Sequence, residues 1–433
     1  MSSASIIGLS ELDQHLGALL SSSPGAGTTA LELSPSLFED VKLRVTDDNT
    51  RIIAAALMPK LVALLKSPVV LGGQGPLVNT DAICSLATKL LGQSVFTFSE
   101  ALAIAPIESL VEALGQDATP ATNKLVIAVI DKATGPRNSA SWTPSPAEAH
   151  NIAVLARSSE LFEAFIKCWL LSPDTGVGDY AERVLVKLLD ADRPPAINGH
   201  SVDVNGGGQT AGAPHNNPGQ LWNIMFQVHS IYTHTILASC RTGLGESLRN
   251  GEVNGGPDED GAVKTASSRS IAQSRVLSIL PSLACLDFLK VAKSQTGDNQ
   301  PALLEFAWNR MVEMRDPLMV RNLHSFYIEM VSRTRCFLTL SDRRAGVNRS
   351  SRPRVASLNN ITDPELHFQV KELGNLLHLV VSRDPSLLAH VRALPNEAAA
   401  AAEHGLVTRE DAEDLRIWVD LLLEPVQSQL AVR

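Results

Sequence analysis

The sequence holds few of the residue patterns that catalysis, metal binding or membrane insertion usually require. Its five cysteines, Cys84, Cys168, Cys240, Cys285 and Cys336, include no CxxC, so neighbours in sequence can build neither a zinc knuckle nor a thioredoxin-type pair. Scattered singly on apolar segments, they read as reduced, buried thiols of an intracellular protein rather than as a disulfide framework. HExxH, GxSxG and SxxK are all missing, which removes the common zinc-protease and serine-nucleophile patterns. The Gly-rich segments 71–76 and 205–212 have no Gly-Lys-Ser/Thr after them, and they read as turns rather than phosphate cradles. Long apolar runs are also missing. The longest, Ile52 to Leu65, is interrupted by Pro59 and Lys60 and is too short for a bilayer. The first twenty residues lack a cationic lead and carry Glu11 and Asp13 inside their apolar stretch, so they are expected to begin a helix rather than act as a signal peptide.

What the 433 residues do have is 44% hydrophobic content with only 4% aromatic and 19% charged residues. Burial must therefore rest on Leu, Val, Ile and Ala, a composition that favours packed helices. A net charge of −9 excludes general coating of nucleic acid or anionic membrane. The local exception is 333–354, with seven Arg against Asp342 alone. Arg343, Arg344, Arg349, Arg352 and Arg354 fit a solvated loop, an acidic protein partner or an import signal. No aromatic lies between Asp342 and Arg354 to stack a base, which disfavours nucleic acid. Asp411, Glu413 and Asp414 read as the polar face of an exposed helix rather than as an acid/base pair. His229 and His234 stand five apart. In an α-helix that spacing would not project both from one face as metal ligands, so they are expected to be ordinary helix histidines.

Apolar spacing of 3.6 residues recurs along the chain without sustained period-2 alternation, which predicts an all-α fold. Leu221, Ile224, Met225, Val228, Tyr232 and Thr235 form one expected stripe, and Met319, Leu323, Phe326 and Met330 another. Each needs a neighbouring helix to cover it. A unit also repeats: an apolar helix, an Asp in a short turn, then a second helix. The clearest copy spans 301–331, with Asp316 before Pro317 and Val320-Arg321 soon after. Asp316 is placed to cap the second helix with Pro317 in its first turn, and Arg321 to pair with an Asp of an adjacent turn. Weaker copies centre on Asp47-Asp48, Asp117, Asp174 and Asp363. The expected architecture is an α-solenoid of HEAT/armadillo-like repeats over 1–392, about eight to ten of them, with a helical tail at 393–433. Segments 193–218, 243–270 and 341–357 are poor in apolar residues and are expected to be mobile insertions.

Four blocks occur in order, at 174–189, 220–236, 272–288 and 303–330. DTGVGDYAERVLVKLL, QLWNIMFQVHSIYTHTI, AQSRVLSILPSLACLDF and LLEFAWNRMVEMRDPLMVRNLHSFYIEM together resemble the proteasome base-assembly chaperones related to 26S proteasome non-ATPase regulatory subunit 5. Fungal members of that family also carry the label DNA mismatch repair protein. The resemblance implies a C-shaped HEAT-like stack that holds the carboxy-terminal small domain of a proteasomal AAA ATPase subunit, with no catalytic residues and no cofactor. The two Gly-rich insertions and the Arg-rich loop depart from a compact member. A general HEAT or armadillo scaffold or transport adaptor is the alternative, sharing the fold. A mismatch-repair role is weaker, because nothing in the sequence reads DNA.

In such a stack the second helix of each pair lines the concave side. With Met319, Leu323, Phe326 and Met330 inward, steps of 100° place Arg321, His324, Ser325, Ile328 and Ser332 opposite. On 365–383, Leu366, Val370, Leu373 and Leu377 point inward and Phe368, Lys371 and Asn375 outward. The expected partner-binding residues are therefore Arg321, His324, Ser325, Ile328, Phe368, Lys371 and Asn375, with Ile328 and Phe368 supplying exposed apolar surface. No metal site is expected. The expected compartment is the cytoplasm, with the nucleus as a second.

Overall fold

A computed structural model describes residues 8–21, 34–65, 80–92, 96–115, 118–135, 145–193, 218–241, 259–294, 300–312, 316–338, 341 and 361–430. Every regular element among them is helical, as the apolar periodicity predicts. The chain divides into two compact units, one formed by 1–192 with 216–221 and the other by the remainder.

The first unit contains α1 (Leu9–Ser21), α2 (Pro35–Arg44), α3 (Thr50–Leu65), α4 (Thr80–Gly92), α5 (Phe98–Ile104), α6 (Ile107–Glu112), α7 (Pro120–Asp131), α8 (Pro146–Arg157), α9 (Ser159–Leu171) and α10 (Thr175–Ala191). Helices pack on near neighbours in sequence: α2 lies on α4, α4 on α7, and α7 on α10, while α1 lies on α3 and α9 on α10. The core is mostly aliphatic. Leu57, Leu61, Ile83, Leu90, Ile127, Ile130, Leu185 and Leu188 are buried, with Trp169, Phe38, Phe98, Phe162 and Phe165 as the largest fully buried side chains in this unit.

Helix α11 (Gln220–Gln227) belongs to the second unit from Trp222 onward and is followed by a π-helical segment (Ser230–Leu237) and the short turn Ala238–Cys240. The unit continues through α12 (Glu259–Leu286), α13 (Phe288–Ala292), α14 (Leu303–Asn309), α15 (Pro317–Thr334), α16 (Pro364–Val381), α17 (Pro385–Glu403) and α18 (Arg409–Leu430). Helix α12 packs along α15, and α18 covers α16 and α17.

Helix starts follow local chemistry. Thr97 with Glu100 and Ser145 with Glu148 form reciprocal capping boxes, and each satisfies two amide donors that the helix itself leaves open. Asp174, Asp316, Asp363 and Asp384 each accept amide protons of the helix they precede. In the last three, proline follows the aspartate. Such a cap stabilises by about 1 kcal/mol, and proline suits the first turn because its missing N–H would have had no partner there.

Asp192 closes the first unit. Its carboxylate accepts from the backbone N–H of Gly219 at 3.1 Å, Gln220 at 3.2 Å and Leu221 at 2.7 Å. Gly219 takes a φ of +86°, a conformation open to glycine at little cost, and this turns its N–H toward the acid.

Several expectations change. Residues 259–270, expected to end a mobile insertion, form the start of α12, because Ala and Ser in Glu259–Ser270 permit a helix once the apolar half of α12 is packed. Of the expected insertions 193–218, 243–270 and 341–357, the stretches 194–217, 243–258 and 342–357 lie outside the described residues, as does Asp117. The expected boundary at 392 falls inside α17, and the expected tail is helical over Arg409–Leu430 and packs on α16 and α17. Leu415, Trp418, Val419 and Leu422 are buried, with the Trp418 indole N–H donating to Thr334 Oγ1 at 3.2 Å. Asp414 is buried with them rather than lying on an exposed face, whereas Glu413 is exposed and paired with Arg416 at 2.6 Å. Val228 is exposed although it lies on the expected 221–235 stripe, because the helix changes period after Gln227.

Candidate functional site

The residues expected to meet a partner lie on α15 and α16, and the core beneath them sets their directions. Met319, Leu323, Phe326 and Met330 on α15 are buried, and so are Leu366, Val370, Leu373 and Leu377 on α16. Trp308 of α14 joins the two helices. Its ring lies 5.5 Å from Phe326 and 4.7 Å from Tyr327, while its N–H donates to the Leu376 carbonyl at 2.7 Å. The Tyr327 hydroxyl donates back to the Trp308 carbonyl at 2.9 Å. Rigid aromatic anchors with both polar tips satisfied hold the outer faces of α15 and α16 in fixed orientation.

On those outer faces Arg321, Ser325, Lys371 and Asn375 are exposed, while His324, Ile328 and Phe368 are half-buried. Two of the half-buried members, His324 and Phe368, have partners within the fold. His324 Nε2 lies 2.8 Å from Asp384 Oδ2, the capping acid of α17. The Phe368 ring sits edge-on to Phe288 of α13 at 6.1 Å, with Lys293 Nζ 4.5 Å from its centre. Phe368 is thus a wall of the core more than a free contact, because α13 packs where the sequence reading left open solvent.

Each stripe carries an exposed leucine that the sequence reading missed. Leu318 is 64% exposed at the start of α15 and Leu379 is 44% exposed near the end of α16. Positions 318, 321, 325 and 328 share one face of α15, and 368, 371, 375 and 379 share one face of α16. A leucine with one cation and one small polar side chain suits docking of another protein's surface. The signal was available in sequence as continuation of the stripe beyond the helix centre.

The Arg321 ladder takes another form. Among the described residues Arg321 makes no ion pair with an aspartate, and the contacts come from other bases. Lys124 of α7 meets Asp174, the cap of α10, at 3.1 Å, and His324 of α15 meets Asp384, the cap of α17. Asp47 and Asp48 are exposed in the turn before α3, where Asn49 Oδ1 accepts the Thr46 N–H at 2.9 Å.

Among the described residues, no group of three or more His, Cys, Asp or Glu is placed to hold a metal ion. No helix among them is long and apolar enough to cross a membrane. His229 and His234 do meet, contrary to the sequence expectation: their rings are 4.8 Å apart and perpendicular. The reason is the π-helical segment, in which Thr235 Oγ1 donates to the Ser230 carbonyl five residues back. Residues five apart stack in a helix closed by i→i+5 bonds. Cys84, Cys168 and Cys240 are buried as expected, whereas Cys285 and Cys336 are half-buried. No protein-family model and no curated protein matches the chain significantly.

Proposed function

We propose that this chain is a non-enzymatic chaperone for assembly of the base of the 26S proteasome regulatory particle, built as a HEAT-like stack. It holds the C-terminal small domain of one AAA ATPase subunit against the exposed stripes of α15 and α16. The observation that carries the reading is the recurrent helix pair in which an aspartate caps one helix and receives a basic side chain from an earlier one, Lys124 to Asp174 and His324 to Asp384. This is the kind of bond between stacked pairs that the Asp-turn repeat needs. The ordered sequence blocks point from such a stack to the assembly-chaperone family, and the two stripes supply a surface for a protein ligand. The seat of action is cytoplasmic, with the nucleus as a second compartment.

The test uses the full-length chain, tagged, against the purified C-terminal domains of each proteasomal ATPase in turn. Saturable one-to-one binding to one or two of them supports the reading. Binding to none, with transport factors or nuclear-pore proteins enriched from a lysate instead, replaces it with a general helical-repeat adaptor.

A further inference from the structure

Two thiols that lie far apart in sequence meet where α12 runs along α15. Two contacts join the same stretches. Arg333 Nη1 donates to Ser282 Oγ at 2.7 Å and the rings of Phe288 and Phe337 lie edge-on at 5.5 Å, which brings Cys285 and Cys336 together between them, close enough for each thiol to perturb the other. The cysteine pair is thus bracketed on one side by a hydrogen bond and on the other by an aromatic contact. Both side chains are half-buried, unlike the enclosed Cys84, Cys168 and Cys240. Arg193, Arg333 and Arg335 supply positive potential around them.

We propose that Cys285 and Cys336 form a peroxide-reactive dithiol that closes into a disulfide between α12 and the segment just beyond α15. Cys336 is the attacking member. The hydrogen bond from Cys285, followed by Arg193, Arg335 and its own backbone N–H, holds its thiol below the ordinary range against the effect of burial. The same contact, together with burial, pushes Cys285 up, so it stays protonated as the resolving thiol. Burial alone pushes Cys240 up to about 12, and burial is the main cause that pushes Cys84 up to about 11, which leaves both with little thiolate to react. Hydrogen peroxide is the oxidant. The Cys336 thiolate attacks one peroxide oxygen, the O–O bond breaks, and the hydroxide released takes a proton to become water, leaving Cys336 as a sulfenic acid. Cys285 sulfur then attacks the Cys336 sulfur, the S–O bond breaks, and the departing hydroxide takes the Cys285 proton as a second water. Two thiols and one peroxide give one disulfide and two waters.

The experiment treats the folded full-length chain with hydrogen peroxide, blocks remaining thiols after unfolding, and maps peptides without reductant. The expected product is one linked pair containing Cys285 and Cys336, two hydrogens lighter than the reduced pair, with Cys84, Cys168 and Cys240 still blocked as thiols. Dithiothreitol should restore the pair. In the Cys285→Ser chain, dimedone should trap Cys336 as a sulfenic acid. In the Cys336→Ser chain, oxidation of Cys285 should slow by about tenfold or more. Both thiols remaining free, Cys336 oxidised without a link in the wild-type chain, or a link to any other cysteine would overturn the proposal. Equal oxidation rates in the two variants would overturn the assignment of Cys336 as the attacking sulfur.

Discussion

His324 Nε2 approaches Asp384 Oδ2 to 2.8 Å, so the middle of α15 is tied to the capping residue of α17. One carboxylate thereby serves two elements. It accepts the Ser386 N–H at 3.0 Å and the Ser386 hydroxyl at 2.6 Å, and it faces a base from another helix. The Ser386 hydroxyl first, then its N–H and His324, hold the Asp384 carboxyl below the ordinary carboxylate range.

Asp384→Ala is expected to cost about 1 kcal/mol at neutral pH, the loss of a capping acceptor. Asp384→Asn keeps an amide oxygen for the cap and loses only the charge, so its cost should stay below about 1 kcal/mol, as for other partly exposed pairs. A carboxyl depressed in the folded state contributes stability that is present above its unfolded pKa and disappears as pH falls through its folded one. The gap between wild type and Asp384→Asn should therefore close below about pH 4. Denaturant titrations across pH measure it, and a gap unchanged at pH 3 would show that the carboxylate is not the source.

Gln273 braces the second unit from inside. It is 3% exposed, and its amide nitrogen donates both to the Cys240 carbonyl at 2.8 Å and to the Met311 carbonyl. Gln273→Leu fills the same volume and removes both donors, so a loss of about 2–3 kcal/mol is expected from two desolvated carbonyls. Chemical denaturation checks it. A cost under 0.5 kcal/mol, below the ~1 kcal/mol of even one ordinary hydrogen bond, would mean that water replaces the amide.

Asp192 should matter more than any surface acid, because three backbone N–H groups from Gly219 to Leu221 converge on its buried carboxylate. Asp192→Ala is expected to destabilise by about 2–3 kcal/mol, since hydrogen bonds to a charged acceptor are individually strong and the buried Leu221 N–H would lose its partner, while Gly219 keeps the Asp192 carbonyl at 2.7 Å. Asp192→Asn, which keeps one acceptor oxygen, should recover roughly half. Amide exchange at Gln220 and Leu221 should accelerate in both variants, and unchanged exchange at both would contradict the role assigned to the carboxylate.

Much of this arrangement was legible in the sequence, and the exceptions share a cause. Asp316-Pro317 and Asp363-Pro364 announced their helices because a short acid and a fixed φ act within one turn, whatever lies around them. The buried stripes Met319 to Met330 and Leu366 to Leu377 followed from period alone. What tertiary packing decides was hidden. By period alone Phe368 falls on the outer face, and only the fold brings α13 against it, while His324 is drawn to an acid that a distant turn supplies. The His229–His234 contact is hidden for a different reason. Side chains five apart diverge in α geometry, and no local residue announces the extra-wide turn. Cys285 and Cys336 could not be joined either, because their meeting depends on how α12 lies along α15.

The proposed binding face is tested stripe by stripe. Leu318→Asp with Arg321→Glu alters the outer face of α15, and Lys371→Glu with Leu379→Asp does the same on α16. All four side chains are exposed, so the melting temperature should shift by no more than about 2 °C in either double variant. Each reverses a charge and puts an acid in place of an exposed leucine, which opposes a desolvated apolar contact in two ways. Affinity for the ATPase C-terminal domain is expected to fall at least tenfold, about 1.4 kcal/mol. Phe368→Ala is the contrast. Its ring is packed on Phe288 and under Lys293, so it should lower stability by about 1–3 kcal/mol, less than a fully buried ring would, through lost packing. If only the α15 pair weakens the complex, the partner lies along that helix alone. If neither does while both variants stay folded, these stripes are not where the partner sits.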